Sequence, residues 1–234
     1  MQIRDKIDEN FNIAMEIYEG EFSHNELINM LKCGDIVQKQ ISVLKLDTLI
    51  NKEEAELLVS NLIGQNGKVR EAVSFKLTEY MSQNELLPHF MSTKNYDVFL
   101  NSIIDINGNI CRNIISAISN LKSDKDFCDY FCEKLTEMTL DLTHIINDFD
   151  FQDGKYKVNK EVFKLYWCLE TIFEFSDFMN IDSLKEILTK TKNINEYTIR
   201  EKTAKILTKN FTDFDLLKIK QELKNDPNYY VRRY

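Results

Sequence analysis

Glycine and proline are scarce in this chain, which has six Gly and two Pro in 234 residues. An all-β protein needs many turn residues, so this scarcity favours an all-α architecture. No apolar run approaches the roughly 20 residues of a membrane span, and residues 1–10 carry charges instead of the apolar core of a secretory signal. We therefore expect a cytoplasmic protein with no membrane partner.

Cysteine is also limited, and the five residues are an odd number for a disulfide framework. All five lie inside apolar helical patterns, which favours reduced, buried thiols. They are Cys33, Cys111, Cys128, Cys132 and Cys168.

Charged residues are abundant, and the acidic ones outnumber the basic ones, which gives a net charge of -8. General nucleic-acid binding usually depends on neutralising phosphates with Lys and Arg, so the acidic balance disfavours, without excluding, a nucleic-acid partner. The balance of 43% hydrophobic and 29% charged residues is typical of a folded protein.

Apolar residues recur at steps of three and four along most of the chain, as in Val69, Val73, Leu77 and Tyr80. Helix-start signals precede many of these stretches, for example the capping box over residues 23–26. We expect about twelve short helices, paired into six units that form a single domain over residues 1–234.

One segment departs from this helical spacing of apolar residues. Residues 149–158 alternate apolar and polar side chains around Asp153-Gly154, which predicts a small β-hairpin inserted between two helices.

A short phrase, an apolar residue followed by Arg, opens several of the helical stretches. The separations between successive arginines are 42, 88 and 32 residues, and 88 is two units of about 44. The copies are Val69-Arg70, Cys111-Arg112, Ile199-Arg200 and Val231-Arg232. Such a period indicates repeated helix pairs, none of which can bury its apolar stripe alone, so neighbouring pairs must stack.

With these repeats laid out, the chain resembles the HEAT-repeat family, most closely at its end, where Asp226 precedes Val231-Arg232 by the family's short distance. The resemblance implies a right-handed, armadillo-like α-solenoid of about six helix pairs, with Asp and Arg forming a ladder along the stack. Only Arg232 has Asp six residues before it. The other three marker arginines have Gly64, Ile106 and Ile194 at that place.

The second helices of the units carry a net charge of +7, which leaves -15 for the rest of the chain. By family analogy those helices line the concave face, so we expect that face to be neutral to basic. Ion pairing between neighbouring helices is the alternative use of the same lysines and arginines. The candidate partner-binding residues are Arg70, Arg112, Arg200, Lys202, Lys205, Lys209, Tyr229, Tyr230, Arg232 and Arg233.

No catalytic, cofactor or metal site is predicted. The three histidines are isolated, and no Gly-rich phosphate loop is present. An EF-hand register on Gly154 would place Phe149 and Lys160 at ligand positions, so calcium binding is excluded there. Cys128 and Cys132 lack a second cysteine pair, which favours packing over zinc.

Two further features have a structural and a functional interpretation. Trp167 lies in an almost continuous apolar stretch, which favours a core position over a base-stacking platform. The acidic row over residues 126–141 is typical of a solvated helix face, although it could bind a cation or a basic partner.

Two functions remain open at this point. The first is a non-enzymatic scaffold that binds a protein or peptide on its concave face. The second is a nucleic-acid-acting protein that resembles the DNA alkylation repeat glycosylases. We also predict that Tyr229, Tyr230 and Tyr234 are exposed, at a docking surface or at the boundary of a longer fold.

Overall fold

A computed structural model describes Met15, residues 18–147 and residues 155–234, apart from the side chains of residues 155–158. The chain divides into two compact units, residues 1–99 and 100–234. Within the described residues there are twelve α-helices, no strands, and no helix long and apolar enough to cross a bilayer. The expectation of a single domain over residues 1–234 stays a prediction.

The first unit contains four helices and a 3-10 turn, and a fifth helix begins in this unit and continues past residue 99. These are α1 (His24–Cys33), α2 (Ile36–Lys45), α3 (Lys52–Ser60), α4 (Gly67–Tyr80), the 3-10 turn Leu87–Phe90 and α5 (Thr93–Ser102). The second unit holds α6 (Gly108–Ile118), α7 (Lys125–Asn147), α8 (Lys155–Phe175), α9 (Ile181–Thr191), α10 (Tyr197–Ile206), α11 (Phe214–Leu223) and α12 (Tyr229–Arg232), with 3-10 turns at Ser119–Leu121 and Ser176–Phe178.

Side-chain caps fix where the helices begin. The capping box predicted before α1 is present, with the Ser23 amide donating to Glu26 at 2.8 Å. A second box opens α2, where the Gln38 amide donates to Asp35 at 2.8 Å. Because an N-cap of this kind contributes about 1 kcal/mol, short helices are held at defined starting points.

In the first unit, helices pack on their partner within a pair and on the corresponding helix of the next pair. Helix α1 packs on both α2 and α3, and α2 packs on α4. The buried side chains between them include Leu31, Leu58, Leu77 and Tyr80. The Tyr80 hydroxyl donates to the Leu46 carbonyl, which satisfies the one polar atom of that aromatic ring in the core.

In the second unit the helices form two rows. Helices α6, α8, α10 and α12 contact one another in succession, and so do α7, α9 and α11, while α7 packs on α8 between the rows. Phe127, Phe131 and Phe175 form the aromatic centre, with ring centroids 5.0 to 6.0 Å apart. Paired helices stacked in this order are an armadillo- or HEAT-like repeat fold, so the predicted all-α class is confirmed.

Two expectations need correction. Lys155–Val158, predicted as the second strand of a hairpin, form the first turn of α8, because an established helix adds one backbone bond per residue; residues 148–154, including the predicted turn, lie outside the described residues. Cys33 is exposed rather than buried, since it ends α1 on its solvent side.

We predict that Phe131→Ala destabilises the second unit by roughly 3–5 kcal/mol, because it leaves a cavity between Phe127 and Phe175. Urea unfolding followed by far-ultraviolet circular dichroism measures the change. Phe214→Ala is the matched control, since the Phe214 side chain is 79% exposed and its removal should change stability by less than about 0.5 kcal/mol. Equal losses in the two variants would contradict the assignment of the core.

Candidate partner-binding groove

The marker arginines bond backward along the chain. Arg200 donates through Nη1 to the carbonyls of Ile194 and Asn195, at 2.9 and 2.8 Å. Arg232 repeats this pattern on the carbonyls six and five residues before it, at 2.8 and 2.7 Å. Arg70 likewise donates to the carbonyl five residues earlier. In these three copies the phrase therefore ties the second helix to the turn that leads into it.

Arg200 also forms one rung of the Asp–Arg ladder that the family resemblance implies. Its Nε and Nη2 donate to the two Asp226 carboxylate oxygens at 2.6 and 3.3 Å. Burial alone would raise the pKa of Asp226, but the bonds from Arg200 and from the Asn228 amide, with the charges of Arg200 and Arg232, outweigh it and lower the pKa. This rung joins the last two repeats.

A single carboxylate on α8 engages two of the predicted partner-binding lysines. Glu170 accepts from Lys202 and, at 2.8 Å, from Lys205. The Lys202 Nζ also lies 4.4 Å from the centroid of the Tyr166 ring. Burial would raise the pKa of Glu170, but the two lysines outweigh it and lower the pKa. Lys209 faces Asp177 at 3.6 Å, so ion pairs to α8 and to the 3-10 turn that follows it account for all three lysines.

Two of the three tyrosines predicted to be exposed are so, with Tyr229 at 65% and Tyr230 at 52%, whereas Tyr234 is half-buried. The Tyr230 ring lies 6.3 Å from that of Tyr197. Arg233 donates to Glu201 at 2.7 Å and stacks over the Tyr230 ring at 5.5 Å. The role of these residues in docking stays a prediction.

A groove of about 480 Å³ lies between α6 and α8, two neighbouring second helices. Arg112 and Ser116 are exposed one turn apart on α6, and the 3-10 turn that follows contributes Ser119. The only side-chain bond of Arg112 within the described residues is to the Asn109 side chain, at 3.3 Å. The lining residues are Arg112, Ile115, Ser116, Ser119, Tyr166, Trp167, Glu170 and Glu174.

Trp167 combines the two roles that the sequence left open. It is only 9% exposed, which confirms the core interpretation, yet it also lines the groove. Its ring packs edge-on against Tyr166 with centroids 5.4 Å apart, and its indole N–H has no acceptor among the described residues. A Cβ on Gly108 would stand 3.2 Å from the indole Cζ2, so glycine permits the close approach of α6.

A second groove, of about 570 Å³, lies in the first unit. Lys94 faces Glu56 there at 3.5 Å, and Glu54 bonds His24 at 3.0 Å. Lys32 and Glu53, which carry opposite charges, also line this groove.

The described residues contain no group of three or more His, Cys, Asp or Glu side chains placed to hold a metal ion. Burial raises the pKa of Cys111, Cys132 and Cys168 to about 12, so these thiols are neutral at physiological pH. Because the thiolate is the nucleophilic form, they are suited to packing rather than to chemistry.

Comparison with protein-family models and with curated proteins finds no match to this chain. Among solved structures, an engineered protein is similar at 12% identity and a TM-score of 0.45, over 91% of this chain and 93% of its own. A designed armadillo repeat protein is similar at 14% identity and a TM-score of 0.44, over 90% of this chain and 96% of its own.

We predict that Glu170→Gln destabilises the second unit by roughly 2–4 kcal/mol, because it removes the countercharge of the buried Lys202. Glu174→Gln is the control: Glu174 is 40% exposed and meets Lys122 at 3.2 Å, so its loss should cost less than about 1 kcal/mol. Urea unfolding at neutral pH compares the two.

The Glu170→Gln variant has a pH signature. The lowered pKa of Glu170 contributes stability that is complete above the ordinary glutamate pKa of about 4.3 and is lost as the pH falls through the folded-state value. Glu170→Gln should therefore flatten the acid side of the stability profile. Parallel profiles for Glu170→Gln and the native protein would contradict the pairing.

Proposed function

We propose that this chain is a non-enzymatic helical-repeat scaffold that binds a protein or peptide segment in the groove between α6 and α8. The observation that carries the proposal is the exposed pair of Arg112 and Ser116 beside the aromatic lining of Tyr166 and Trp167. Pockets that combine apolar rings with a few polar groups are typical ligand sites. The five free cysteines support a reducing, cytoplasmic setting.

The dimensions of the groove suit an extended segment. Ser119 follows Arg112 by seven residues, a distance of about 10 Å at 1.5 Å per helical residue. An extended peptide advances about 3.3 Å per residue, so three to four residues fit along this stretch. The segment would meet a guanidinium, a hydroxyl and aromatic rings in turn.

No observation favours the nucleic-acid alternative. Phosphate binding needs Lys and Arg charges that are free to replace counterions. Lys202, Lys205 and Lys209 are engaged by Glu170 and Asp177. The groove between α6 and α8, with Arg112, is too small a basic surface for a DNA duplex. We therefore rank the peptide-binding function above the nucleic-acid function.

The test is selection of a random twelve-residue peptide display library on the immobilised protein. We predict that enriched peptides bind the native chain and lose at least tenfold in affinity to Ser116→Phe, which fills the groove from an exposed position. Trp167 is the only tryptophan, so its emission reports occupancy of the groove without a label.

The matched control is Ser123→Phe, an equal change at an exposed residue outside the groove lining. It should leave affinity within about twofold. Failure to enrich any peptide, or peptides that bind both variants equally, would contradict the proposal. Tight duplex DNA binding that weakens steeply with salt would support the nucleic-acid alternative instead.

A further inference from the structure

We propose that the segment bound in the groove is acidic, with an Asp or Glu carboxylate on Arg112 and a neighbouring apolar side chain against Trp167 and Ile115. This inference rests on the proposed function and specifies the chemistry of the partner. It follows from the charges that line the groove and from the way each is compensated.

The carboxylates of the groove are already paired. Glu170 is held by Lys202 and Lys205, and Glu174 meets Lys122 at 3.2 Å. A basic peptide would have to displace a lysine from one of these carboxylates before forming its own ion pair. The acidic side of the groove therefore offers little to a positively charged partner.

Arg112 is the charged side chain of the groove that has no ion-pair partner among the described residues. No carboxylate of the described residues lies within 4 Å of its guanidinium, and its bond to Asn109 is to a neutral side-chain oxygen. It differs in this from Arg200, whose guanidinium is fully committed to Asp226 and two carbonyls. The other marker arginines maintain register, whereas Arg112 has donors left for a ligand.

The geometry of a guanidinium selects carboxylate. Its planar fork of N–H donors matches two carboxylate oxygens at once, and such charge-assisted pairs are stronger than neutral hydrogen bonds. Ser116 stands one helical turn away on the same face of α6 and is exposed, so its hydroxyl can donate to the same segment. Ile115 and Trp167 supply the apolar surface beside them.

The test compares the composition of peptides selected by the native chain, Arg112→Ala and Arg112→Glu from one random twelve-residue library. We expect peptides selected by the native chain to carry Asp or Glu at a fixed spacing from an apolar residue. Arg112→Ala should bind those peptides about tenfold or more weakly, consistent with a charge-assisted bond. Arg112→Glu should instead select Lys or Arg at the same position.

The matched control is Lys224→Ala, which removes one positive charge from an exposed position outside the groove lining. It should keep affinity for the acidic peptides within about twofold. Far-ultraviolet circular dichroism of each variant shows that the fold is retained, and raising the salt concentration should weaken the native interaction.

The outcomes separate the two proposals. Groove-dependent peptides that are neutral or basic, or that bind Arg112→Ala as well as the native chain, would overturn the acidic-segment proposal and leave the scaffold function standing. If no peptide depends on the groove, as judged by Ser116→Phe, the scaffold function fails and this inference fails with it.

Discussion

Burial of one apolar stripe per helix is the constraint on which the rest of this structure depends. A helix of ten residues has little stability of its own in water, so each must cover its stripe with a neighbour. In the second unit this produces two rows of like helices. Most residues that face between the rows are apolar, and the buried Thr191 and Thr203 hydroxyls bond each other there. The aromatic centre of Phe127, Phe131 and Phe175 lies where α7 meets α8.

Stacking also decides how the charges are used. The lysines of α10 face the preceding helix of their row, where Glu170 engages two of them and aromatic rings lie against their ammonium groups. Arg200 is engaged in the same way by Asp226 from the turn that precedes α12. Arg112 escapes this pairing, because no acidic residue comes within 4 Å of it in the described chain. A charge without an ion-pair partner among the described residues is what makes the groove between α6 and α8 a candidate binding site.

Much of the fold could be predicted from the sequence because its signals are local. Capping residues such as Ser23 and Asp35 mark helix starts within three residues, and the apolar spacing of three and four identifies each buried face. The Val-Arg phrase located the second helices because its arginine bonds carbonyls only five or six residues away. The prediction of a hairpin was wrong at Lys155–Val158, because the alternation of apolar and polar residues there is short and the residues belong to a long helix.

The site was harder to predict because its contacts are distant in sequence. Glu170 meets Lys202 and Lys205 across more than thirty residues, and Arg112 shares a groove with Trp167 across more than fifty. Those contacts depend on the register between helices, and this register cannot be predicted from the apolar periodicity of a single helix. The polar positions at Arg112, Ser116 and Ser119, at steps of four and three on an apolar helix, were the one local signal.

Native-state hydrogen exchange, resolved along the chain, tests most directly the claim that stacking between neighbouring helices supplies the stability. If it does, protection in the second unit should be highest for amides of α7 and α8, which have neighbours on several sides, and lower for α12, which packs on α10. A graded decrease from α8 through α10 to α12 is the predicted result. Equal opening free energies for α7, α8 and α12 would contradict the account.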